Sequence, residues 1–153
     1  MGKGFWISVA AILIIAMVSF AISEKNREDE ANSKIIKDMP TTYAEGLNYL
    51  KRSDYEKASQ KFSLFHYKNL DKSVIDYKEK NFPNGKHLYN YANAMFYDGK
   101  AEFNFVDKYM AEIPSDYSGE FSEEILKMKK IDWAKKADDR AKIQVDNFMK
   151  SRQ

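Results

Sequence analysis

His66 and His87 are the first residues to weigh for acid–base chemistry or metal ligation, because they are the only two histidines in the 153-residue chain. They fall in different predicted elements and neither has a local ligand partner, so they read as surface or interface residues. The carboxylate pairs Glu123-Glu124 and Asp138-Asp139 are adjacent in sequence on charged helical stretches. Neighbouring positions on a helix diverge, so neither pair converges on one reacting atom, and both read as solvated surface. Gly85-Lys86 and Gly99-Lys100 lack the upstream glycine and the downstream Ser or Thr of a phosphate-binding loop and read as turns. There is no nucleophile elbow and no HExxH. No cysteine is present, which removes zinc–thiolate clusters, disulfides, thiol catalysis and a lipoprotein-type anchor together. The sequence assigns no catalytic residue, no cofactor, no metal ligand and no small-molecule substrate. The expectation is that the chain is not an enzyme.

The elements that hold these residues must be built without disulfides. Apolar residues make up 44% of the chain and charged residues 31%, the balance of a folded rather than a disordered polymer. Ten Tyr, ten Phe and two Trp supply the large apolar area that such a core needs. The formal net charge is only +2, with Lys and Arg interleaved among Asp and Glu. That pattern gives no basic stripe and excludes nucleic acid as an expected partner.

From Gly4 to Ile22 the chain carries no charge. As a helix this run is roughly 30 Å long, the thickness of a bilayer's hydrocarbon core. Lys3 and the amino terminus precede it, whereas Glu24, Lys25, Arg27, Glu28, Asp29 and Glu30 follow with a negative balance. The positive-inside rule then leaves residues 1–3 as a cytoplasmic tip and 4–22 as a single-span signal anchor, with the remainder extracytoplasmic. Ser19 and Ala21 form a small-x-small pair that a signal peptidase could read, so a secreted form cleaved after Ala21 is the alternative.

Residues 23–40 read as a polar linker, or as a helical continuation of the span, with Met39-Pro40 marking its end. Beyond it the helix signals are dense. Thr42 and Glu45 form a predicted capping box for a helix with Tyr43, Leu47 and Leu50 on one face. Ser53 and Glu56 form a second, ahead of Tyr55, Ala58, Phe62 and Phe65. Asp71 is the predicted cap of a short helix over 72–79, and Asn81 to Gly85 is a break. A second hairpin follows, with Leu88, Tyr91, Ala92, Met95 and Phe96 on its first helix and Asp98-Gly99 as its turn. Phe103, Val106, Met110 and Ile113 mark its second helix. A last helix is predicted from about Glu120 to the end. No stretch alternates with the period of a strand, so the fold class is all-α.

The first hairpin, YAEGLNYLKRSDYEKASQKF, resembles the tetratricopeptide repeat (TPR). Gly46 stands at the small position of the first helix, Tyr49 follows three residues later, Ala58 lies twelve after Gly46, and Phe62 follows that. Asp54-Tyr55-Glu56-Lys57 looks like the turn and second-helix start of that motif. In the second hairpin Ala92, Met95, Gly99 and Pro114 occupy comparable positions, although the small residue of its second helix is missing. The separation of Gly46 from Ala92 exceeds the usual period of about 34 residues, which implies an insertion between Asn69 and Lys86. The resemblance implies that residues 41–150 form a short array of antiparallel helical hairpins closed by a C-terminal helix.

The resemblance further implies that a concave face of first helices binds peptide. By register, that face comprises Tyr43, Leu47, Leu50 and Lys51 in the first hairpin, and Tyr89, Asn93, Phe96 and Tyr97 in the second. The same residues could instead be core. The expected function is a membrane-anchored protein–protein interaction module of a bacterial envelope, with a protein or peptide partner, which helps assemble or escort other envelope proteins. The alternative is a structural subunit of a secretion, conjugation or sporulation complex.

Overall fold

The computed structural model describes the backbone of residues 3–152 and the side chains of residues 17–152. Among the described residues the chain forms seven helices and no strand. The first is α1 (Lys3–Lys51), which continues without interruption through the segment expected to be a linker and through Pro40. Proline removes one backbone hydrogen bond and crowds the carbonyl of Ile36, at a typical cost of about 3 kcal/mol. Burial decides against the break: Met39 is fully buried, and Ile35 and Ile36 pack on the same core. Thr42 is accordingly not a cap. Its hydroxyl donates back to the Asp38 carbonyl at 3.0 Å, inside the helix. Among the described residues no helix is long and apolar enough to cross a membrane. The expected span, Gly4 to Ile22, lies for the most part outside the residues whose side chains are described.

Helix α2 (Tyr55–His66) begins one residue later than the expected capping box places it. Ser53 is in the left-handed region (φ 58°) and forms the turn, while Asp54 accepts from the Lys57 N–H at 3.3 Å. Asp71 caps α3 (Lys72–Asn81) as expected, accepting from the Ser73 N–H at 2.8 Å. The second hairpin is α4 (Gly85–Gly99) and α5 (Phe103–Ala111), and its reversal falls at Lys100 to Glu102, where Ala101 takes the positive φ (54°). The predicted last helix is two: α6 (Ser122–Met128) and α7 (Trp133–Lys150). Asp132 breaks the pattern by capping α7, with its carboxylate 2.9 Å from the Lys135 N–H.

The helices pack in sequence, α1 on α2, α2 on α4, α4 on α5 and α5 on α7, with α3 set against α1. The core runs through these interfaces from Met39, Phe62 and Phe65 to Leu88, Val106, Ile113 and Trp133. Close approach of α1 to α2 depends on Gly46, where a Cβ would stand 2.7 Å from Cζ of the fully buried Phe62. Gly85 plays the same part for α4, since a Cβ there would stand 2.6 Å from Cγ of Phe65. Lys129 ties the α6 end to α5 by donating to the carbonyls of Met110 (2.8 Å) and Ile113 (2.6 Å).

Candidate functional site

The eight residues expected to form a concave face separate into two environments. In α1, Tyr43 is wedged between Phe62, Phe65 and Phe82 at centroid separations of 5.6, 5.4 and 5.0 Å. Its hydroxyl donates to Oε1 of Glu120 at 2.9 Å, and burial together with that carboxylate pushes its pKa far up. Leu50 is buried, Leu47 is half-buried against the core, and only Lys51 is exposed. This set is predominantly packing. Burial pushes the Glu120 carboxyl up, but hydrogen bonds from its own backbone N–H, from Asn84 (2.8 Å) and from Tyr43 outweigh it and leave its pKa lowered.

The α4 set lies nearer the surface. Asn93 is the exception: it is buried, and its Nδ2 turns back to donate to the Tyr89 carbonyl at 2.9 Å, so that donor is occupied within the helix. Tyr89 is half-buried and stacks on His66, with centroids 4.4 Å apart and planes 22° apart. Tyr97 stacks on Phe105 (4.8 Å) and Tyr109 (5.8 Å), and Tyr109 meets Tyr89 edge-on at 6.3 Å. Phe96 packs edge-on against Tyr97 and carries the Lys100 ammonium 3.9 Å above its ring. Tyr89, Phe96 and Tyr97 are thus brought together in one aromatic ladder spanning α2, α4 and α5.

At the His66 end of the ladder the structure opens into two cavities that no expected site residue except Tyr89 touches. One, of about 360 Å³, lies between the end of α2, α3 and the start of α4, and its lining includes Phe65, Lys78, Phe82 and His87. The other, of about 300 Å³, lies between α2, α4 and α5 and is lined by Tyr89, Asn90, Lys108, Tyr109 and Glu112. His66, Lys68 and Lys86 line both, so the two cavities adjoin and together are called the trough. Lys78 is buried beneath it, where its ammonium donates to the carbonyls of Phe65 and Tyr67 and closes the end of α2. Lys86 reaches Glu112 at 3.5 Å across the rim.

The polar bookkeeping of this trough is unusual. Among the described residues, the buried side-chain atoms without a hydrogen-bond partner are Nδ1 of His66, Nδ1 of His87 and both amide atoms of Asn90. All three residues line the trough. Buried polar atoms in native structures are nearly always satisfied, and leaving one unpaired costs roughly 1–3 kcal/mol. The sequence carried a trace of the site: Lys86 and Asn90 are one turn apart and so fall on one face of α4. Among the described residues no group of three or more His, Asp or Glu is placed to share a metal ion.

Both imidazoles are held neutral. Burial lowers the His66 pKa, assisted by Lys86 and only partly opposed by Glu112, and burial with Lys86 lowers that of His87. An unfolded histidine titrates near 6.5, so below that pH the unfolded chain gains protons that the folded chain does not. Stability conferred by the neutral imidazoles is therefore complete above about pH 6.5 and is lost as pH falls through the lowered folded values. Chemical denaturation between pH 7 and 5 is expected to show falling stability, and a His66→Gln/His87→Gln double variant a flatter profile. An unchanged slope in the double variant would count against this assignment.

Compared with known proteins, the chain matches no family model, no curated protein and no solved structure.

Proposed function

We propose that this protein is a membrane-anchored, extracytoplasmic protein–protein interaction module of a bacterial envelope, which helps assemble or escort other envelope proteins. The observation that carries the reading is the continuity of α1. The uncharged run Gly4 to Ile22, roughly 30 Å as a helix, belongs to the same helix as Met39 and Leu50, which are packed in the helical domain. With Gly4 to Ile22 in the membrane, the charged and largely exposed residues 23–38 form a stalk of roughly 25 Å that holds the domain clear of the lipid surface. The partly exposed aromatic ladder of Tyr89, Tyr97, Tyr109 and Phe105 supplies contact area of the kind used in protein recognition. The TPR-like reading of residues 41–150 is supported by the glycine-mediated approach of α1 and α2 and by the successive packing of the helices.

One feature favours the second reading, a structural subunit of a secretion, conjugation or sporulation complex. The outer half of α7 exposes Ile143, Val145, Phe148 and Met149, each by more than half of its surface. Val145, Phe148 and Met149, at i, i+3 and i+4, share one face, and such a patch fits a permanent neighbour better than a transient client. Crosslinking in intact membranes, followed by capture of the full chain, separates the two: several substoichiometric partners indicate escort, one stoichiometric partner a structural role. Absence of any crosslinked protein would overturn both. The mature mass tests the anchor, since loss of residues 1–21 excludes retention.

A further inference from the structure

Residues 141–150, the outer part of α7, are exposed on every side of the helix, and Trp133 at its start is the one buried residue. A helical segment of that length without packing is marginal in water, so a surface that covers it would stabilise α7. The spacing of its side chains says which surface fits. Val145 is flanked four residues away by Ala141 and Met149, and seven residues away by Asp138 and Arg152. Offsets of four and seven keep all five on one stripe of a helix. The stripe is symmetric in position and complementary in kind, small side chain against large and acid against base.

Complementarity of that form selects a second α7 running antiparallel, with Val145 on the two-fold axis. Positions equally far from Val145 on opposite sides then come level. Each Met149 meets Ala141 of the second copy, and each Arg152 meets Asp138. Within one chain Asp138 and Arg152 stand roughly 21 Å apart along the helix and cannot pair. Among the described residues neither has an ion-pair partner. Lys142 and Asp146 add a matched pair on one flank, within roughly 3 Å of level across the axis.

Phe148 fits the same arrangement. It borders the stripe on the side of Gln144, one turn before it. Gln144 and Ala141, with Phe103, Phe105, Ala137 and Arg140, line a cavity of about 470 Å³ between the start of α5 and α7. A two-fold axis sets like flanks of the two helices together, so Phe148 of one copy comes level with position 142 of the other, beside this cavity. A lipid surface fits less well, because the stripe would carry Asp138 into it without a partner.

We propose that α7 is a self-association surface through which two copies of this chain pair antiparallel about Val145, each placing Phe148 at the groove between α5 and α7 of the other. The proposal rests on the reading of the α7 patch as permanently covered, and names a second copy as what covers it.

The test uses the full chain in detergent micelles. Because the chain has no cysteine, Val145→Cys introduces a single thiol at the two-fold axis. Mild oxidation is expected to link it into a disulfide dimer, while Ile143→Cys, on the far side of the helix, stays unlinked. Without oxidant, sedimentation should give twice the chain mass. Phe148→Asp, at a side chain more than half exposed, should yield monomer with its helicity kept. Asp138→Arg and Arg152→Asp should each weaken the dimer by about tenfold or more, and the double variant should recover most of that loss, since opposite charges face each other again. The proposal is overturned by a monomeric wild type, by equal linking of Ile143→Cys and Val145→Cys, by lack of rescue in the double variant, or by a dimer that survives Phe148→Asp, which would place association elsewhere in the chain. A benzophenone attached to Val145→Cys and photolysed in intact membranes keeps the readings apart. A linked dimer is expected. A stoichiometric adduct to a different protein overturns the proposal and leaves the structural-subunit reading standing, whereas a lipid adduct alone overturns both. A dimer with no other protein captured upholds the proposal and removes the structural-subunit reading.

Discussion

Phe62→Ala is expected to remove about 3–5 kcal/mol of folding stability, the range for deleting a fully buried aromatic ring. A domain of this size has roughly 5–15 kcal/mol in total, so the variant should be near its unfolding threshold at physiological temperature. The ring is inaccessible to solvent, meets Tyr43 edge-on at 5.6 Å and Phe65 at 6.2 Å, and occupies the space that Gly46 leaves open. That last contact makes the prediction specific. In the native protein Gly46→Ala would bring a Cβ to 2.7 Å from Cζ and 2.9 Å from both Cε atoms of a ring with nowhere to move. Overpacking of this kind costs about 1–3 kcal/mol, against at most about 1 kcal/mol gained from alanine's better helix propensity. Once the ring is gone the clash is gone. Gly46→Ala should then be neutral or stabilising in the Phe62→Ala background, giving a double-mutant cycle with clear positive coupling. Urea unfolding of the four proteins checks it, and additive effects would show that Gly46 and Phe62 do not share this contact.

Trp133→Ala is expected to release α7 rather than to unfold the whole domain. Trp133 is the one buried residue of that helix. Its indole N–H donates to the Met128 carbonyl at 3.1 Å, and its ring lies 6.0 Å from Phe103. The Lys136 ammonium sits 4.4 Å over Phe103 and 4.6 Å over Trp133 while pairing with Asp98 at 3.1 Å, so the indole also orders that contact. Removal of a buried Trp side chain typically costs about 3–5 kcal/mol. Without it, α7 retains mainly exposed contacts such as the Arg140 guanidinium on the Ala101 carbonyl (3.0 Å). An 18-residue helix with so little packing is marginal in water. Hydrogen exchange should show amides of residues 133–150 losing protection while α2 and α4 keep theirs. Trp133→Phe, which keeps most of the apolar area and loses one hydrogen bond, should cost far less. Full protection of α7 in Trp133→Ala would mean that the rest of the helix anchors itself.

Much of this architecture was legible before folding was considered. Helical periodicity, Asp71 as a cap, the break at Asn81 to Gly85 and the two hairpins depend on local rules, and each stands where expected to within a few residues. The glycine at position 46 was readable as a point of close approach because only a missing Cβ lets two helices meet over a phenylalanine. The misplaced caps were of one kind. Thr42 and Ser53 had the right neighbours for capping, yet one back-bonds within a helix and the other forms a turn. Caps are worth about 1 kcal/mol, and burial of Met39 or Phe62 outweighs them.

The candidate site was less legible than the fold. Of the eight residues chosen by register, Tyr43, Leu47 and Leu50 serve mainly the core and Asn93 bonds its own helix, while Tyr89, Phe96 and Tyr97 join a surface ladder. Along the chain His66 reads as a surface or interface residue and Lys86 as part of a turn, and nothing singles out Asn90. What the sequence determined by itself is the class of the fold, the uncharged amino-terminal run and the order of the helices, because periodicity, charge and capping act over a few residues. Only the tertiary structure decided that α1 runs unbroken past Pro40 and that an asparagine amide and two imidazole nitrogens are left unpaired around one trough. Those outcomes depend on which faces meet across distant segments, and no local spacing encodes which polar atoms that meeting will strand.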